Sequence, residues 1–360
     1  MKCNYFGICG SCKIYPDYEE QLQRKKEQFI ELFGKEPRVF ASPSEHFRAR
    51  AEFRIVDGSY AMHKIDGNGL VKIDSCPIVL EPIYTLMPKI VEFIKQSPLL
   101  IQRLYRIDFL SGLSGEMLIT LVYHKKIDEE WEEEARKIAQ VFGINIVGRS
   151  RGIKSVIGNE FITEELEIEG KKYLYHHYEG SFTQPNPYVN QKMIAWVMQM
   201  AGENRRDLLE LYCGAGNFTI PLSYCFRKVL ATEVSKTSIK AAKENCILNS
   251  VENIEFVRLS SEEVAQAVKG VREFRRLAHL DLASYDFQTV FVDPPRCGLD
   301  SATRELVREF EQILYISCNP QTLHRDLQEL QKSHEVEQIA LFDQFPYTSH
   351  MECGVKLVKR

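Results

Sequence analysis

Residues 207–222 read DLLELYCGAGNFTIPL, and this stretch decides the fold. It is a strand, a glycine-rich turn and the start of a helix. Glycine lets backbone approach a ligand closely, and a helix N-terminus offers free N–H groups. The nicotinamide fingerprint G-x-G-x-x-G needs a third glycine, which Gly214-Ala215-Gly216-Asn217-Phe218-Thr219 lacks. From about Asn186 onward, short apolar runs alternate with helical segments. The runs are 207–213, 229–232, 254–258, 289–292 and 313–317, with a last pair near 336–342 and 354–358. That alternation predicts a Rossmann-like, doubly wound α/β domain over 186–360. Residues 1–185 read differently: a cysteine cluster, a helix from Tyr18 to Phe33, then strands mixed with helices. They predict a separate α+β domain, with the boundary between Ser181 and Asn190.

The 360 residues are 44% hydrophobic and 27% charged, which excludes a disordered or fibrous class. Lys and Arg number 46 against 50 Asp and Glu, a net charge of −4, so any nucleic-acid binding must come from local basic patches. Apolar runs fall short of the roughly 18 residues a membrane span needs, and MKCNYFGICGSC lacks a signal-peptide core. A cytoplasmic, monomeric protein is expected. Its ten cysteines are then reduced, and metal and catalytic roles come before disulfides. The acidic run 128–134 starts a helix and reads as solvated charge near the positive helix end.

Three further loops carry chemistry. VLATEVS places Glu233 seventeen positions after Gly216, where a carboxylate can accept from both hydroxyls of a ribose. In FVDPPR, two prolines stiffen the loop that holds Asp293 at the sheet edge. In ILYISCNPQTL, residues 313–323, a buried strand ends on Ser317 and Cys318 before Asn319-Pro320 opens a helix. Together they predict an adenosine-containing ligand, with a cysteine on a neighbouring strand edge.

These motifs, with FRARAEFRI, YHKK, SFTQPN and LFDQFPYTSHMECGV, resemble the S-adenosylmethionine-dependent RNA uracil-C5 methyltransferase family, and within it the bacterial tRNA branch that makes T-loop ribothymidine. The resemblance implies methyl transfer from S-adenosylmethionine to C5 of the uridine at tRNA position 54, with Cys318 as nucleophile on C6 and Glu352 as proton acceptor. It implies donor contacts at Gln184, Tyr212, Asn217, Glu233 and Asp293, around the turn of Gly214 and Gly216. A thiolate suits the covalent step. The same chemistry on rRNA is the alternative. An RNA-binding or folding factor is the alternative from another class. An amino-methyltransferase is disfavoured, because Arg296 stands where those enzymes carry a stacking aromatic.

A target base must leave its stack before a cysteine can reach it. FRARAEFRI alternates, with Phe47, Ala49, Ala51, Phe53 and Ile55 on one face and Arg48, Arg50, Glu52 and Arg54 on the other. A strand with that pattern offers a row of guanidiniums to RNA, with structural ion pairing as the rival. The resemblance places Arg54, Tyr105 and His124 near the T-arm. Cys3, Cys9 and Cys12 gather three thiolates on a short loop and Cys76 completes four. Their spacing is similar to the iron–sulfur motif of the rRNA members, which implies a [4Fe–4S] cluster, with zinc as the chemical alternative.

Overall fold

The computed structural model describes residues 1–14, 17–203, 206–268 and 270–360. After the loop of Cys3, Cys9 and Cys12 come α1 (Tyr18–Phe33) and β1 (Arg38–Phe40). The Asp17 side chain accepts from Glu20 N to cap α1, and Gly34 ends it in the left-handed region at φ 65°.

Seven strands then build one sheet: β2 (Arg50–Val56), β3 (Ser59–His63), β4 (Leu70–Ile73), β5 (Leu104–Ser111), β6 (Met117–Tyr123), β7 (Asn145–Ser150) and β8 (Ile153–Ile157). Their order is β4-β3-β2-β5-β6-β7-β8. The intervening helices are α2 (Glu81–Gln96), the short α3 (Pro98–Ile101) and α4 (Glu129–Phe142). Ile83, Met87, Ile90 and Ile94 form a helical stripe on α2 that packs with Trp131 and Ile138 of α4 onto Phe53, Ile107 and Ile119. The acidic run opens α4, with Asp128 as its cap. A hairpin of β9 (Phe161–Ile168) and β10 (Lys171–Tyr178) follows.

The expected doubly wound domain is built from β11 (Asp207–Leu211), β12 (Lys228–Thr232), β13 (Ile254–Val257), β14 (Phe287–Val292), β15 (Gln312–Ser317), β16 (His334–Phe342) and β17 (Glu352–Lys359). Its helices are α5 (Pro187–Ala201), α6 (Thr219–Leu222), α7 (Lys236–Leu248), α8 (Ser261–Val268), α9 (Ser301–Val307) and α10 (Pro320–Leu330). Alternate strand residues feed two cores. Leu208, Phe291, Leu314 and Ile316 meet Trp196 of α5 and Ala242 of α7 on one face. Leu209, Val290, Ile313 and Tyr315 meet Val264, Leu306 and Leu327 of α8, α9 and α10 on the other.

The strand order is β1-β16-β17-β15-β14-β11-β12-β13. Although α1 and β1 precede the seven-stranded sheet in the chain, they pack with this one: Val39 pairs with Leu341 in a parallel ladder, and Phe29 joins the Leu209 core. β17 runs antiparallel to both β15 and β16. The first residue of β17 therefore lies at the edge where the parallel strands end, which is where open α/β sheets bind ligands.

Candidate active site

At that edge Ser317 pairs with Cys353, and Phe342 with Glu352. Cys318, one residue past the end of β15, and Glu352, the first of β17, line a cavity of about 510 Å³ together with Asp293, Arg296, Gln184 and Phe182. Asn319 caps α10 by accepting from Gln321 N. Its Nδ2 also donates to Arg296 O at 2.9 Å, which ties the Asp-Pro-Pro-Arg loop to the cysteine's own loop.

The cavity is electrostatically unusual. Glu352 is 4% exposed, and burial, reinforced by the charge of Asp293, holds its carboxyl well above the usual range, with Arg296 acting against this. Burial likewise pushes Asp293 up to about 7. Cys318 is pushed up to about 11 by burial, then by Glu352 and Asp293, while the Arg296 guanidinium opposes them. The resting thiol is therefore protonated, and Arg296 is the group that favours the thiolate.

The glycine turn lies at the end of β11. Gly214 has φ +55° and Gly216 φ +87°, both in the left-handed region, and a Cβ on Gly214 would project into open space. Gly214 N donates to Glu233 Oε2 at 3.2 Å, and Ser235 N to Glu233 Oε1 at 2.7 Å. Tyr212 Oη donates to Ser261 Oγ. The Asn217 side chain forms a reciprocal amide pair with Asn190, at 2.8 and 2.9 Å. Beneath the turn, Glu210 and Thr219 are both fully buried, and the Thr219 hydroxyl hydrogen-bonds the Glu210 carboxyl. The open space above Gly214 and the acid of Glu233 fit an adenosyl ligand.

Two residues here escaped the sequence reading. Phe182 is 78% exposed at the cavity wall; an aromatic beside a polar SFTQ run has no periodicity to mark it. Gln344 is buried and donates to Gln184 Oε1 at 2.9 Å, a contact across 160 positions.

The basic strand is divided in its roles. Phe47, Ala49, Ala51 and Phe53 are buried as their alternation predicts, and Ile55 is half-buried against the same core. Arg50 donates to Ser181 O and pairs with Glu52, and Arg48 donates to Arg50 O and lies against Cys12 and Cys76. Arg54 covers the Tyr105 ring at 5.3 Å, and that ring stacks on His124 with centroids 4.3 Å apart.

Cys3, Cys9, Cys12 and Cys76 line one small cavity, all as free thiols. Burial pushes Cys12 and Cys76 up to about 12. Among the described residues, no group of three or more His, Cys, Asp or Glu side chains is set to hold a metal ion.

Residues 17–360 match the family model described as tRNA (Uracil-5-)-methyltransferase. A tRNA/tmRNA (uracil-C(5))-methyltransferase of a Nitratiruptor species is 64% identical over 360 residues, covering all of both chains. A protein of the same name from Wolinella succinogenes is 52% identical over 371 residues, again covering all of both. Among solved structures, Pyrococcus abyssi tRNA (uracil-54, C5)-methyltransferase in complex with S-adenosyl-L-homocysteine superposes with a TM-score of 0.75 at 24% identity, over 95% of this chain and 84% of that one; this likeness shows the shared fold. The glycine turn, the cysteine at the strand edge and the full-length relatives lead to one assignment: the chain belongs to the tRNA (Uracil-5-)-methyltransferase family.

Proposed function

We propose that this protein transfers a methyl group from S-adenosylmethionine to C5 of a tRNA uridine, the T-loop uridine at position 54. The observation that carries the reading is that Cys318 and Glu352 share one cavity with an exposed phenyl ring. The relatives named for tRNA and tmRNA support the substrate class.

Uracil C5 is too weak a nucleophile to take a methyl group unaided. Cys318, once its thiol proton has passed to solvent, adds as the thiolate to C6, forming a C–S bond and leaving an enolate whose C5 is nucleophilic. C5 takes the methyl group of S-adenosylmethionine, which the glycine turn would hold, as the sulfonium S–CH3 bond breaks and S-adenosylhomocysteine leaves. The Glu352 carboxylate then removes the C5 proton. The electron pair of that C–H bond restores the C5–C6 double bond as the C6–S bond breaks and the thiolate leaves. Burial raises the proton affinity of Glu352, which makes its carboxylate a stronger base once ionised. Phe182 offers a face for the flipped base to stack on.

In the same reading residues 1–185 dock the RNA of the T-arm, through Arg54, Tyr105 and His124, and residues 186–360 bind the donor. The protein acts as a cytoplasmic monomer; no described helix is long and apolar enough to cross a membrane. Cys3, Cys9, Cys12 and Cys76 are the residues that would hold a [4Fe–4S] cluster, or a zinc ion. What supports this is the four thiols lining one cavity. Methyl transfer moves no electrons, so the role is structural. Visible absorption and metal analysis of anaerobically purified protein separate the two metals.

The test of substrate is tritium release from C5-tritiated uridine in unmodified tRNA and rRNA transcripts, each with S-adenosylmethionine. Release from tRNA alone is expected. Release from rRNA alone would reassign the substrate, and release from neither would favour a binding factor.

A further inference from the structure

The buried face of α1 consists of Tyr18, Gln21, Lys25 and Phe29, and two of these four are polar. Lys25 and Asp343 form an ion pair at 2.6 Å, with side chains 1% and 0% exposed. The ammonium also donates to Phe345 O at 2.8 Å. Gln21 Nε2 donates to the second Asp343 oxygen at 2.8 Å, and Gln21 Oε1 accepts from Tyr347 N at 3.3 Å. One face of α1 thus grips three alternate positions, 343, 345 and 347, of the segment between β16 and β17.

That segment forms part of the active-site wall. Phe345 and His350 line the 510 Å³ cavity. Gln344 reaches Gln184, and His350 Nδ1 meets Arg296 Nη2 at 2.7 Å. The segment ends on Glu352. Further along α1, Gln28, Glu31 and Leu32 border the adjoining groove of about 700 Å³, which also reaches Cys318. A buried ion pair is weak evidence of stabilisation, since apolar side chains of similar volume serve as well or better. Its donors do have directional demands that an apolar contact lacks.

We propose that Lys25, with Gln21 and Asp343, is a positioning device that sets the 343–352 segment, and through it the Glu352 carboxyl, against Cys318. The inference rests on the catalytic reading of Cys318 and Glu352 given above.

The double variant Lys25→Met/Asp343→Leu removes both charges together, leaving no unpaired ion. Its kcat for tritium release should fall on the order of 100-fold, the cost of an ångström-scale misplacement, with its affinity for S-adenosylhomocysteine and its KM for RNA near those of the wild type. Because the Glu352 step is the one disturbed, the fraction of RNA held in an SDS-stable adduct during turnover should rise. A role in stability alone predicts neither change. Gln21→Met keeps both charged partners and is the second variant; its kcat should fall roughly tenfold. Wild-type kcat in the folded double variant, or in Gln21→Met should the double variant not fold, overturns the proposal. Wild-type protein assayed alongside separates the two readings: if it releases no tritium from any uridine RNA, the catalytic reading itself fails.

Discussion

Ser317 stands directly opposite Cys353 in the antiparallel ladder between β15 and β17. One step further, in opposite chain directions, lie Cys318 and Glu352. The two groups reach one cavity because β17 runs against the rest of the sheet, which brings its first residue to the edge where β15 ends. A one-residue slip in this register would turn Glu352 to the other face of the sheet.

Cys318 should be a slow nucleophile in the free protein. With its thiol pushed up to about 11, the thiolate fraction at pH 8 is on the order of one in a thousand. Iodoacetamide labelling of the Cys318 peptide, followed by mass spectrometry, should accelerate about tenfold per pH unit between pH 7 and 10. Arg296→Gln removes the opposing cation and should slow labelling at each pH. A rate that is flat above pH 8 would contradict the protonated resting state.

Glu210 should make stability fall as pH rises. Its carboxyl is pushed up to about 8 by burial, with the Thr219 hydrogen bond opposing and the charge of Asp293 adding, above the unfolded value of about 4.3. The folded state therefore holds the proton more tightly. The stability this provides is complete below about pH 4 and is lost as pH rises through about 8. Glu210→Gln should flatten that decline, raising stability by a few kcal/mol at pH 8.5 in urea unfolding. Equal pH slopes in both proteins would show that the carboxyl ionises freely in the fold.

Phe182 should matter for RNA and for nothing else measured. At 78% exposure it contributes little to the core, so Phe182→Ala should keep the wild-type melting temperature and S-adenosylhomocysteine affinity. Its kcat/KM for tRNA should fall roughly 10- to 100-fold, the range of one lost base–aromatic stack. Unchanged kcat/KM would remove the ring from the base's path.

The parts legible in the sequence are those whose meaning is local. A glycine turn between an apolar run and a helix names its own geometry, and so does a strand ending on Ser317-Cys318-Asn319-Pro320; these sufficed for the doubly wound fold. Other features depend on which distant segments meet. Lys25 reads as one charge among several on an amphipathic helix until Asp343, 318 positions away, is folded onto it. β1 is too short at three residues to announce that it joins a sheet formed about 300 residues later. Arg48 has the same alternation as Arg54, yet one faces cysteines and the other an aromatic ring. Phe182 lacks any periodic neighbour, and only the cavity gives it a role.

The most direct measurement of the account is the covalent complex in Glu352→Gln. With tRNA and S-adenosylmethionine, this variant should accumulate a protein–RNA adduct that survives SDS. Mass spectrometry should place the RNA on Cys318, with a methyl group already on the base, because addition and methyl transfer precede the proton removal that Glu352 performs. The Cys318→Ser/Glu352→Gln variant should form none. An adduct attached to a residue other than Cys318, or full turnover without Glu352, would contradict the assignment of nucleophile and base.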